Sequence, residues 1–195
     1  METLAALTGL SAAFGLASSA GLNAYIPLLI VALASRLPAS QPLLNLSEPY
    51  NLLGHWAVIV VLVVLLLIEM TVDKIPAVDT INDVIQTAFR PAAGAILFAA
   101  NANVITEINP FLALFAGLLV AGGVHATKGI ARPVVTAGTA GTGNWLVSTL
   151  EDITAVFVSI LSVLLPILAL LLFVILVVSV LLYRRRRRRQ FAGSR

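Results

Sequence analysis

The sequence predicts an all-α integral membrane protein with five membrane-spanning or re-entrant helices, six if the chain reverses at Pro166, some of them broken at proline. Three observations carry this. Hydrophobic residues make up 59% of the 195 residues and charged residues only 11%, with a mean hydropathy of +1.02, a composition that a soluble domain of this length would find hard to keep in solution. An uncharged apolar run extends from Ile153 to Tyr183. Six consecutive arginines, Arg184 to Arg189, follow it directly, and a span flanked by Lys or Arg places that flank in the cytoplasm. One membrane domain over residues 1–183 and a basic cytoplasmic tail over 184–195 are expected.

The elements follow in order. A first over-long segment, about Leu4 to Ala34, is interrupted near Gly21, Asn23 and Pro27 in GLNAYIPLL, which predicts a broken or strongly tilted helix. Pro38, Pro42 and Pro49 mark the stretch from Ser35 to Gly54 as the longest loop. Trp56 to Ile68 is nearly all aliphatic and borrows from its flanks to span, with His55 at one end and Glu69 at the other. After the connector Asp73 to Asp79, Thr80 to Ala100 is helical with a sharply polar face, Asp79 as a candidate N-cap and Pro91 as an interruption. Asn101 to Pro110 reads as a turn. Phe111 to about Val135 is the next segment, with Gly117, Gly122 and Gly123 for close helix contact and Pro133 as a further interruption. A glycine-rich loop, Thr136 to Asn144, leads to Ser148-x-x-Glu151, which has the form of a capping box for the last helix. At ~1.5 Å per residue the final apolar run would measure ~46 Å, longer than a ~30 Å hydrocarbon core, so it must tilt, protrude or break, most simply at Pro166.

Two internal echoes raise a duplication. Gly15-x5-Gly21-x-Asn23-Ala24 resembles Gly117-x5-Gly123-x-His125-Ala126, and Asp83-x2-Gln86-x3-Arg90-Pro91 resembles His125-x2-Lys128-x3-Arg132-Pro133. Their offsets differ, so both cannot belong to one repeat; the first fits the duplicated architecture common in transporters.

The formal charge of +3 is set by the C-terminus, because seven of twelve basic residues lie at Arg184–Arg189 and Arg195 while the rest of the chain carries nine acids against five bases. Nucleic-acid partners are not implied. No cofactor is indicated: cysteine is absent, two histidines are too few and too isolated for zinc, and no HExxH, GxSxG or P-loop motif occurs. The chain opens Met1-Glu2 without a basic n-region, so a cleaved signal peptide is not expected.

Chemistry is concentrated in two stripes. Asp79, Asp83, Gln86 and Arg90, spaced by four, three and four, share one helix face, as do His125, Lys128 and Arg132. A charge facing lipid at mid-depth costs ~2.5 to 3.5 kcal/mol on the insertion scale, so the stripes should face each other, a cavity or the interface. With Glu69, Asp73 and Lys74 they count four acids, four bases and one histidine, so the charges nearly neutralise one another. Arg90 and Arg132 each precede proline, which would set each guanidinium at a helix break suited to a phosphate or carboxylate. Asn23, Tyr25 and Pro27 would add a third element, or Asn23 would only close the break with a local hydrogen bond. Asp79 and Glu151 have competing duties as caps.

Taken together, GLNAYIPLL, DKIPAVDTINDVIQTAFRPAAG and HATKGIARP resemble the uncharacterised bacterial membrane-protein family called domain of unknown function 4126, over about residues 9–180, with DKIP-x2-D-x3-D-x2-Q-x3-RP-x2-G at 73–94 the most specific part. The resemblance implies a small multispan bacterial inner-membrane protein and no particular activity; the arginine tail is outside the pattern. From the residues themselves, the first expectation is a transporter or channel-like protein whose stripes line a route for an ion, a small anionic metabolite or a lipid headgroup, with membrane lipid as its surroundings. Arg90, Lys128 and Arg132 would bind the anion, and Asp79 and Asp83 would couple protons or gate. The alternative is a non-catalytic assembly protein whose charges only lock helices together. The third is a metal-dependent lipid diphosphate enzyme with a divalent cation at Asp73, Asp79 and Asp83.

Overall fold

A computed structural model describes residues 2–72, 76–102, 109–139, 143–172, 174–175, 177–179 and 182, with the side chains of Glu2, residues 76–81, Asp83 and Ala102 outside that description. Every regular element among the described residues is helical. In chain order they are α1 (Glu2–Leu22), α2 (Tyr25–Ala34), a 3₁₀ turn (Tyr50–Gly54), α3 (Trp56–Val72), α4 (Pro76–Ala102), α5 (Pro110–Thr139) and α6 (Asn144–Leu164). Three of them, within α1, α5 and α6, are long and apolar enough to cross a membrane, and exposed leucine, isoleucine, valine and phenylalanine side chains cover the outside of the bundle. This is the surface of a protein solvated by lipid.

α1 is the central helix. Its Phe14 ring meets Phe98 edge-on at 5.0 Å, and a Cβ on Gly94 would lie against the Ala17 carbonyl, so α1 and α4 run antiparallel. On another side Ser19 Oγ lies 2.7 Å from Ser159 Oγ, and a Cβ on Gly15, one turn earlier, would strike Ser162, which sets α6 antiparallel to α1. α4 and α5 form an antiparallel hairpin joined by glycine: a Cβ on Gly117 would strike the Gly94 carbonyl and Phe98, while one on Gly21 would strike the Ala121 carbonyl and Val124. Small residues thus let three backbones approach, which substitutes for the hydrophobic drive that lipid does not supply.

The expected break in the first segment is a reversal. α1 ends at Leu22, and the Asn23 side-chain carbonyl accepts the N–H groups of Tyr25 and Ile26 at 3.0 and 3.1 Å, capping α2. The far end of α2 is fixed by Ser35 beside Gly54 and by the Arg36 guanidinium over Trp56 at 5.5 Å. Tyr50, just before Gly54, packs against the buried cluster of Ala13, Ala17, Phe98, Ala99 and Ala113. α2 therefore returns alongside α1, and the tip of this hairpin, Asn23, lies inside the bundle rather than at its end.

Other boundaries depart from expectation. Pro91 and Pro133 lie inside unbroken α4 and α5, because flanking helices hold the backbone on each side of the lost hydrogen bond. Pro166 does break its helix: Leu165 leaves helical geometry and helix resumes at Pro166. Seven residues of straight helix rise ~10.5 Å, yet Ser162 Cβ and Ala169 Cβ both lie within 3.5 Å of where a Cβ on Gly15 would sit. The chain bends sharply around α1 there. The start of α1 and the end of α6 lie at one end of the bundle. The arginine tail lies outside the described residues.

The glycine echo does not reflect matched surroundings. Gly21 is clamped against α5 and Asn23 ends a helix, whereas a Cβ added at Gly123 would meet nothing within 4 Å and His125 lies within α5.

Candidate functional site

The hairpin tip, the end of α3, the middle of α4, the second half of α5 and the start of α6 converge on one layer of polar side chains. Gln86 and Arg90 are both buried on α4, one turn apart, and Lys128 and Arg132 are buried in the same relation on α5. The helical spacing of the two stripes therefore points these four side chains inward, as the cost of exposing them to lipid requires.

Arg90 is the hub. One terminal nitrogen, Nη2, donates to Glu69 Oε1 at 3.2 Å, and both side chains are 1% exposed. The other, Nη1, lies 3.2 Å from His125 Nδ1, and His125 Nε2 lies 3.1 Å from Thr87 Oγ1. A guanidinium offers donors only. Nδ1 must therefore accept, which makes His125 the neutral Nε2–H tautomer and directs its proton to the Thr87 hydroxyl. Tyr25, at the start of α2, lies beside Gln86 with its hydroxyl within reach of the charges of Glu69 and Arg90. Four helices, α2 to α5, thus meet in one network.

A second centre lies one turn further along α5. Lys128 Nζ reaches Glu151 Oε2 at 2.8 Å and Arg132 Nη2 approaches the same oxygen at 3.8 Å. Next to Glu151, Asp152 Oδ1 accepts from Asn23 Nδ2 at 2.9 Å. Two adjacent acids on α6 thus hold different neighbours, one α5 and the other the hairpin tip.

Lys128, Arg132 and His125 line a cavity of about 580 Å³ with Thr87, Thr136 and Asn144, between α4, α5 and the start of α6. On the opposite side of α6 lies an apolar groove of about 790 Å³, walled by Ile26, Leu66, Met70, Val156 and Phe157, with Asp152 in its lining. α6 separates a cationic cavity from an apolar one.

Several expectations need correction. Arg90 and Arg132 stand within continuous helices, not at breaks. α4 begins at Pro76, the position where a missing N–H is harmless, so Asp79 sits at the end of the first turn and is no N-cap. α6 begins at Asn144 after Gly143; Ser148 lies inside it, and no capping box forms. That releases Glu151 to pair with Lys128 and Arg132, a role the motif concealed, and Asp152 went unnoticed because its partner is 129 residues away. Asn23 does cap α2 locally, and its amide nitrogen also ties α6. Asp73 and Lys74 lie outside the described residues, as do the side chains of Asp79 and Asp83; the antiparallel α4–α5 register, with Arg90 level with His125, brings the backbone of Asp83 level with Arg132 and that of Asp79 about one turn beyond it. Among the described residues no three His, Asp or Glu side chains group as metal ligands.

Neither a curated protein nor a solved structure matches the chain. The residues that build both charged centres, from Asn23 to Asp152, fall within the match of a single family model, which spans residues 10–186, and the chain belongs to the family described as Domain of unknown function (DUF4126).

Proposed function

We propose that the protein moves a small anion, either a free solute or a lipid headgroup, along the polar layer between α4, α5 and α6. One observation carries this reading: Lys128 and Arg132, with side chains 4% and 9% exposed, line an open cavity of about 580 Å³. Two cations withdrawn from lipid into the wall of a cavity are the arrangement by which helical membrane proteins bind and pass anions. The hairpin tip at Asn23 supports it, since chain reversals within a bundle recur at transporter sites. In this reading the protein lies in the plasma membrane with its C-terminus in the cytoplasm, an orientation that the bias of Lys and Arg towards the cytoplasmic flank of a span supports. Proteoliposomes of the purified full chain provide the test. Uptake of labelled phosphate or carboxylate that disappears in Lys128→Gln and Arg132→Gln, with folded protein retained, is expected; uptake equal to empty liposomes would overturn it.

A second reading has its own support. Glu69–Arg90 and Lys128–Glu151 tie α3 to α4 and α5 to α6, as a non-catalytic assembly protein would need. Buried pairs repay their desolvation poorly as glue, and a lock does not require a cavity beside it, which favours the transport reading. The third reading, a lipid diphosphate enzyme, rests on Asp73, Asp79 and Asp83, whose side chains lie outside the described residues.

A further inference from the structure

Glu151 and Lys128 meet across two helices that otherwise touch little. α6 packs along α1 and α2, while its contact with α5 is confined to a few points. At their connection Thr136 donates to Asn144 at 3.0 Å; deeper in, the Glu151 carboxylate reaches Lys128 at 2.8 Å and Arg132 at 3.8 Å. Both cations also line the cavity between α4 and α5. A carboxylate from α6 therefore occupies the point where the two cavity cations converge. The neighbouring Asp152 is bound to the hairpin tip, so the backbone at this turn of α6 is anchored, and the Glu151 side chain, at 14% exposure, is the part of this turn that can leave the cations by a rotamer change alone.

We infer that Glu151 is a tethered competitor for the anion: its carboxylate holds the place at Lys128 and Arg132 that an oxyanion group, carboxylate or phosphate, takes when it binds. The inference rests on the reading of Lys128 and Arg132 as an anion site. Carboxylate and phosphate offer a cation pair the same paired oxygens, and a group on the same chain acts at an effective concentration in the mM range. The apparent affinity for an external oxyanion is reduced by the fraction of protein in which Glu151 has let go. With little packing between α5 and α6, release of Glu151 also loosens their seam, so anion binding and the opening of α6 are one event.

The test is oxyanion binding to the full chain in nanodiscs. Inorganic phosphate probes the free solute, and phosphatidic acid in a phosphatidylcholine nanodisc probes the lipid headgroup. Glu151→Gln is expected to tighten whichever probe binds by roughly tenfold or more, and Lys128→Gln to abolish that binding in both backgrounds. Glu151→Asp, which keeps the charge and withdraws it by one methylene, is expected to lie between. Binding that depends on Lys128 and Arg132 but is unchanged by Glu151→Gln overturns the competitor role and leaves the anion site standing. Binding indifferent to Lys128 and Arg132 overturns both. Failure of both Glu151 variants to fold marks the pair as structural and also overturns the inference.

Discussion

Arg90 Nη1 lies 3.2 Å from His125 Nδ1, and because the guanidinium can only donate, this contact fixes which nitrogen of the imidazole carries the proton. Donation then runs outward from Arg90, to Glu69 on one side and through His125 to Thr87 on the other. Protonating His125 would set an N–H against an N–H and break the chain at its middle.

Long-range ¹⁵N–¹H correlation spectra of the labelled protein in detergent should therefore show His125 at neutral pH as the neutral Nε2–H tautomer. A spectrum with the proton on Nδ1, or an imidazolium, would contradict the network.

Breaking the Glu69–Arg90 pair from one side should be costly, since it leaves a charge buried at 1% exposure. Glu69→Gln or Arg90→Gln alone should lose about 3 to 5 kcal/mol, and the double Gln variant should recover most of that in thermal unfolding. The recovered variant also separates the two functional readings: an assembly protein should retain its function, a transporter should be folded and inactive.

Glycines on α5 should respond in opposite ways. At Gly117 a methyl group meets the Gly94 carbonyl, Phe98 and Ala95, while at Gly123 it meets nothing. Gly117→Ala should destabilise by about 1 to 3 kcal/mol through overpacking. Gly123→Ala should be neutral or stabilise by up to about 1 kcal/mol through helix propensity. Equal effects in a denaturant titration would place the α4–α5 contact elsewhere.

The α1–α6 contact can be tested covalently, because the chain has no cysteine. Ser19→Cys with Ser159→Cys replaces two hydroxyl oxygens 2.7 Å apart and should form a disulfide under mild oxidation, retained as a mobility shift after proteolysis between them. Ser19→Cys with Ile130→Cys, a pair on separate helices with Ile130 facing outward, should not.

Much of the fold was legible from local chemistry. The apolar runs, the break at Pro166 and the interruption at Asn23 follow from hydropathy, a missing backbone donor and a side chain that competes for backbone N–H groups. The direction taken after Asn23 was not legible, because it is decided by Ser35, Arg36 and Tyr50 finding partners far along the chain. Pro91 and Pro133 misled for a related reason: proline weakens an isolated helix, but a helix clasped by neighbours keeps its course. For the site, spacing identified Gln86, Arg90, Lys128 and Arg132 as inward-facing. It could not identify Glu151 or Asp152, whose adjacency on α6 shows no stripe and whose partners come from other helices.

The central claim is that water and solute reach Lys128 and Arg132 from the cavity, and single-cysteine labelling in native membranes tests it most directly. Cysteines at positions 128, 132 and 136, all lining the cavity, would be compared with cysteines at 119 and 130, where Leu119 and Ile130 face outward. A small, charged, membrane-impermeant thiol reagent should label the first group and leave the second untouched. Protection of all five in correctly inserted protein would mean dry, permanently paired charges, and the transport reading would fall to the assembly one.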